Sequence, residues 1–129
     1  YYVDGALGRD GGVPLSAARD AGFEKFLVVL TQPEGYRKIP PRRLTPFYRS
    51  YFRRFPAVGE ALLRRWALYN ETLDEIEALE ASGDAVVFRP HRVMIRSYER
   101  RVDRLAEAYV LGREQARREV DTWLEFCGL

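Results

Sequence analysis

The chain has 129 residues, 47% of them hydrophobic, and a formal net charge of +2. That is enough apolar material for one domain with its own core, and nothing in the composition suggests two. Its single cysteine, Cys127, excludes an internal disulfide framework and leans towards a reducing compartment, and no apolar run approaches the roughly 20 residues a membrane-spanning helix needs.

The first element expected is a strand, Tyr1-Tyr2-Val3-Asp4, running into Gly5-Ala6. Such a strand presents the Asp4 carboxylate at the mouth of a site, because Gly5 tolerates positive φ and close approach of a ligand; the competing account is a plain Asp-Gly turn. The chain opens inside this apolar run and its only methionine is Met94, so the expectation is a piece of a longer protein. A glycine-rich turn, Gly8-Arg9-Asp10-Gly11-Gly12, follows, and then Pro14 and Gly22 frame a short helix around Ser16–Ala21. The continuous apolar run Phe26–Leu30 predicts a second strand, buried on both faces as in a parallel sheet covered by helices. Strand, helix and strand make a βαβ unit, whose crossover is expected to be right-handed.

Pro33, Gly35, Pro40 and Pro41 forbid regular structure from Gln32 to Arg43. Thr45 is expected to cap a helix that has Pro46 in its first turn and stops before Pro56. A longer helix is expected from about Ala57 to Ser82, with Leu62, Trp66, Tyr69, Leu73, Ile76 and Leu79 on one face and room for a bend near Asn70. Ala85–Arg89 reads as a short strand ended by Pro90. A last helix, Asp103–Phe126, is expected to bury Leu105, Tyr109, Ala116, Val120, Trp123 and Leu124, with Gly112 inside it. This alternation of strands and helices argues for α/β layering rather than a bundle.

The chemistry-bearing residues are few. There is no Cys/His cluster for zinc and no Walker-type phosphate loop, so neither metal nor cofactor is expected. His91 stands beside Pro90 in a basic loop with no carboxylate near it in sequence, and Cys127 reads as a small packing residue. Ser16, Ser50, Ser82 and Ser97 all fail the Gly-x-Ser-x-Gly elbow, so a hydrolytic nucleophile is not expected within these residues.

Charge is unevenly placed. From Gly35 to Gly59 there are seven basic residues (Arg37, Lys38, Arg42, Arg43, Arg49, Arg53, Arg54) and no acidic one; from Glu71 to Asp84 there are six acidic residues and no basic one. The arginines alternate with Tyr36, Phe47, Tyr48, Tyr51, Phe52 and Phe55. Three readings compete: a solvated lid whose aromatics dock on the core and whose arginines face the acidic stretch, a contact with anionic lipid, and nucleic-acid binding.

Taken together, Tyr2-Val3-Asp4-Gly5-Ala6, then Val13-Pro14-Leu15 with Ala18 and Gly22, then Phe26-Leu27-Val28-Val29-Leu30-Thr31 resemble the C-terminal half of the bacterial patatin-like phospholipases. The likeness continues through Gly35-Tyr36-Arg37-Lys38, Tyr69-Asn70-Glu71-Thr72-Leu73, Phe88-Arg89-Pro90 and Ala108-Tyr109-Val110-Leu111-Gly112.

The resemblance implies the C-terminal portion of a three-layer α/β hydrolase-type fold, residues 1–129, with short, mostly parallel strands flanked by helices. It implies a Ser-Asp dyad in which Asp4, with Gly5 and Ala6, is the proton acceptor; Asp10-Gly11-Gly12 is a rival match, set closer to Pro14 than the family's usual spacing. The family's glycine-rich oxyanion motif and serine elbow are absent from these residues, so the chain alone is expected to be inactive and to work with an upstream part of the same protein. The parent's serine is itself in question, since a degenerate enzyme would lack it. The implied substrate is an acyl lipid or ester, with no cofactor and no metal. Peripheral contact with an anionic membrane, a cytoplasmic or membrane-peripheral location in a bacterium, and self-association complete the expectation, with no nucleic acid involved. The alternative is a noncatalytic lipid- or nucleic-acid-binding module built on residues 35–59.

Overall fold

A computed structural model describes residues 4–93, 95 and 98–129, and among these it has two parallel strands, four α-helices and two 3-10 turns. The strand expected through Tyr1–Val3, and with it the handedness of the first crossover, lies outside the described residues. Asp4 itself leads into a 3-10 turn, Gly5–Leu7. The strands are β1, Phe26–Val29, and β2, Ala85–Phe88; the helices are α1, Leu15–Asp20, α2, Thr45–Tyr51, α3, Pro56–Ser82, and α4, Val102–Cys127. They fall into two compact units. One is drawn from the segment ending at Glu24 and from Arg37–Ala81, the other from Lys25–Tyr36 and Ser82–Leu129.

In the first unit, α3 is the backbone of the packing. It runs unbroken for 27 residues, without interruption at Asn70, and its buried positions Tyr69, Leu73 and Ile76 recur at helical spacing as the sequence predicts. Ile76 is wholly buried, which contributes about 2–3 kcal/mol relative to an exposed side chain. Thr72, also buried, donates its hydroxyl to the Leu68 carbonyl (2.9 Å) and to the Asp10 carbonyl (3.2 Å), tying the glycine-rich turn to the helix. Gly11 lies in that turn at φ +61°, and a Cβ there would fall 2.4 Å from the Tyr69 nitrogen. Only glycine fits, because both the backbone conformation and the close approach exclude a side chain.

Thr45 does not cap α2. The 3-10 turn Arg42–Leu44 feeds straight into the helix, and the Thr45 hydroxyl turns back to donate to the Pro41 carbonyl at 3.4 Å. Capping by Thr45 requires extended backbone at that residue, and its φ of −55° and ψ of −50° are already helical.

In the second unit, β1 and β2 pair in parallel with Phe26 opposite Ala85 and Val29 opposite Phe88. The Phe26 N–H donates to the Asp84 carbonyl and the Leu30 N–H to the Phe88 carbonyl, both at 2.9 Å. The architecture is thus α/β in the broad sense, and among the described residues the sheet has two strands, with nothing that establishes the expected three layers. Nor is β1 buried on both faces. Phe26, Val28 and Leu30 are buried, whereas Leu27 and Val29 remain 45% and 64% exposed. Alternation along a strand sends successive side chains to opposite faces, and here one face alone is covered.

The α4 helix passes through Gly112 without a break, but its inward face differs from the expected one. Gln115 is its one buried residue among those described, Trp123 is half-buried edge-on against Phe88 (centroids 5.7 Å apart), and Leu105, Tyr109, Val120 and Leu124 are exposed. Among the described residues no helix is long and apolar enough to cross a membrane.

Candidate functional site

The first unit carries a cavity of about 480 Å³ lined by the turn from Asp4 to Pro14 and by the start of α1. Asp4 stands exposed at its edge with its Oδ1 accepting the Ala6 N–H at 2.9 Å. This bond holds the carboxyl group against the 3-10 turn that begins at Gly5, while the Leu7 N–H donates to the Asp4 carbonyl at 3.0 Å. No other hydrogen bond reaches the Asp4 side chain among the described residues. A Cβ at Gly5 would meet nothing within 4 Å.

Two more carboxylates line the same cavity, and both are occupied. One oxygen of Asp10 accepts from the Ser16 N–H (3.0 Å) and from the Ser16 hydroxyl (2.6 Å), so that Asp10 serves as the cap of α1 in place of Pro14, which has no side-chain donor or acceptor. Asp20 is paired with Arg9. The two Asp-Gly pairs, alike in sequence, both cap a turn of helix: half-buried Asp10 caps α1, and exposed Asp4 caps the 3-10 turn with Oδ1 alone, its Oδ2 taking no hydrogen bond among the described residues.

The remaining expected residues are dispersed. The Ser16 hydroxyl is committed to Asp10, Ser50 lies exposed within α2, Ser82 donates to Asp84 (2.6 Å), and Ser97 lies outside the described residues. His91 belongs to the second unit, in the loop after β2, where its backbone N–H donates to Gln115 Oε1 at 3.2 Å. Cys127 is exposed at the end of α4 rather than packed as expected. The basic segment is split in its partners. Arg37 pairs with Asp74 (2.9 Å) and Glu77 (2.8 Å) of α3, as the lid reading expects, and Arg49 approaches Glu60 at 3.5 Å, but Phe47, Tyr51 and Phe55 are exposed rather than docked on the core. Arg42, Arg43, Arg53 and Arg54 form no ion pair among the described residues.

Sequence reasoning missed Lys38 and Gln115. The Lys38 main chain is clasped by Asn70, whose Oδ1 accepts its N–H and whose Nδ2 donates to its carbonyl, both at 2.9 Å. Its ammonium rests 3.5 Å above the Tyr69 ring. Burial, reinforced by the neighbouring Arg65 charge, pushes Lys38 down to about 8. A signal existed only for the clasp, since Asn in a long helix is a poor helix former retained for its side chain.

The chain belongs to the family of the domain of unknown function DUF6363, whose model matches residues 55–128, that is α3, β2 and α4. No curated protein and no solved structure matches it. The resemblance to the bacterial patatin-like phospholipases is thereby overturned: the family found is DUF6363, and no patatin family matches. The segments that carried the likeness are short, and pieces such as Asp-Gly-Ala or an apolar strand recur wherever a turn or a buried strand is built.

Proposed function

We propose that this chain supplies the proton-accepting carboxylate of an acyl-ester hydrolase, with Asp4 as acceptor and the nucleophilic serine coming from outside these 129 residues. The observation that supports this reading is the exposure of one carboxylate in the cavity: Asp4 caps a 3-10 turn through Oδ1 alone and leaves Oδ2 without a hydrogen bond among the described residues, while Asp10 is half-buried on the start of α1 and Asp20 is paired with Arg9. In the reaction Asp4 takes the serine proton as the hydroxyl oxygen attacks the ester carbonyl. The tetrahedral intermediate expels the alcohol, which leaves with that proton, and a water molecule activated by the same carboxylate then releases the acid. Backbone N–H groups supplied by the partner segment would stabilise the oxyanion. The substrate class is an acyl ester, an acyl lipid among them.

Replacing Asp4 by Asn in the intact protein keeps the acceptor oxygen for the Ala6 N–H and removes the proton acceptor. Ester turnover is expected to fall by about 10²–10⁴-fold with unchanged thermal stability. Turnover that survives the substitution overturns the assignment.

A second reading has its own support. Tyr51 and Phe55 are 70% and 68% exposed beside the arginines of the basic segment, a composition suited to an anionic lipid surface and a peripheral membrane location. It requires no catalysis, and its test belongs with the charge distribution of the whole chain.

A further inference from the structure

The second unit holds a cavity of about 400 Å³ at the carboxyl ends of β1 and β2. Its size lies within the roughly 300–1,000 Å³ range of small-ligand sites, and the carboxyl ends of parallel strands are where α/β sheets place them. The sheet contributes Val29, Leu30 and Phe88, and α4 contributes Ala108, Leu111 and Gly112, so the interior is apolar. The charged groups in the lining are of one sign: Arg92 from the loop after β2 and Arg118 from α4, with no carboxylate among the lining residues. Neither arginine forms an ion pair among the described residues. An apolar cavity edged by two arginines without counter-ions is complementary to a hydrocarbon chain that ends in an anion.

The walls are fixed before any ligand arrives. Gln115, buried in α4, donates through Nε2 to the Arg89 carbonyl (2.7 Å) and to Glu119 (2.9 Å), and its Oε1 accepts the His91 N–H (3.2 Å). These bonds anchor both sides of Pro90 to the helix and hold the loop that carries Arg92. The lining also narrows the head group. Its α4 residues, Ala108 to Arg118, lie in the helix interior, where N–H groups are consumed by the helix itself, so α4 offers an anion side chains only. Arginine's planar fork pairs bidentately with a planar carboxylate, and two guanidinium groups more than offset its single negative charge.

We propose that this cavity binds a single-chain amphiphile with a carboxylate head, a fatty acid in chemical class, with the chain between the sheet and α4 and the carboxylate at Arg92 and Arg118. The site shares no residue with the Asp4 cavity, and the proposal stands whether or not that carboxylate is catalytic.

Gly112 supplies the decisive variant. Gly112 lines the cavity and a Cβ there would meet nothing within 4 Å, so a larger side chain has room to grow at the cavity wall, while replacing glycine in a helix interior favours the helix. The experiment is calorimetric titration of the full-length protein with laurate below its micelle concentration, alongside dodecanol and dodecyl phosphate. Gly112→Phe and the double variant Arg92→Ser/Arg118→Ser are titrated in parallel, each checked for an intact melting transition. Saturable binding of one laurate per chain is expected, abolished in Gly112→Phe and weakened at least about tenfold in the double arginine variant, whose side chains are exposed and dispensable for folding. Dodecanol should bind at least about tenfold more weakly than laurate, and dodecyl phosphate no more tightly. Laurate binding that survives Gly112→Phe, or that is matched by dodecanol, overturns the site; tighter binding of dodecyl phosphate overturns the carboxylate head. Should Gly112→Phe lose its melting transition, the arginine pair and the dodecanol comparison decide alone.

Discussion

Lys38 is where local chemistry and stability meet most directly. Its ammonium is drawn partly out of water and sits near Arg65, whose Nε is itself buried with no hydrogen-bond partner among the described residues. Both effects favour the neutral amine and outweigh the attraction of the Tyr69 ring for the cation. The folded-state value of about 8 lies below the ordinary 10.5, so the unfolded chain binds the proton more tightly. Below pH 8 both states are protonated and the folded state bears the full cost; as pH rises from about 8 towards 10.5 the folded amine loses its proton first and stability increases. Lys38→Met keeps the stem and deletes the charge. Its urea midpoint is expected to exceed the parent's at pH 7 and to lack the parent's Lys38-linked rise by pH 10; equal pH slopes in the two proteins would show that the charge carries no such cost. None of this was legible in the sequence, which places Lys38 and Tyr69 31 positions apart. Asp4 and Asp10 teach the same lesson at short range: each precedes a glycine, and only the fold reveals that Asp10, half-buried, caps α1 while Asp4, exposed, caps no more than a 3-10 turn.

At the level of elements, the sequence fared well on what exists and poorly on which way it faces. The apolar spacing gave α3, α4, β1 and β2 nearly residue for residue, because periodicity is a property of the segment alone. The buried phase of α4 depends on its partners, and those are the carbonyl of Arg89, the N–H of His91 and the ring of Phe88. Two polar backbone groups at that interface demand a side chain with both a donor and an acceptor, which is why Gln115 is buried where a stripe of Leu105, Tyr109 and Val120 was expected. Gln115→Leu is expected to destabilise the protein by roughly 2–4 kcal/mol, since it leaves the Arg89 carbonyl and His91 N–H unpaired. Tyr109→Ala, at an exposed position, should change stability by no more than about 0.5 kcal/mol. Chemical denaturation of the two variants side by side checks the assignment, and the reverse order of effects would restore the stripe read from the sequence.

Over the whole molecule, a net charge of +2 conceals a partial cancellation. The acidic stretch of α3 is met by Arg19, which pairs with Glu75 at 2.6 Å, and by Arg37, which pairs with Asp74 and Glu77. Arg42, Arg43, Arg53 and Arg54 are left without carboxylate partners among the described residues, and they flank Phe47, Tyr51 and Phe55, all exposed. If this set meets an anionic bilayer, two contributions with different salt responses follow. Each arginine near the surface contributes about 1 kcal/mol, lost as the screening length shrinks from about 8 Å at physiological salt to about 3 Å at 1 M, whereas ring insertion is insensitive to salt. Co-sedimentation with phosphatidylserine vesicles is therefore expected to fall steeply with salt to a residual level, which Tyr51→Ala/Phe55→Ala removes, and vesicles of phosphatidylcholine alone should retain only that residue. A single-stranded oligonucleotide that binds more tightly than the anionic vesicles at the same salt would assign the arginines to nucleic acid instead, with the rings stacking on bases rather than entering lipid.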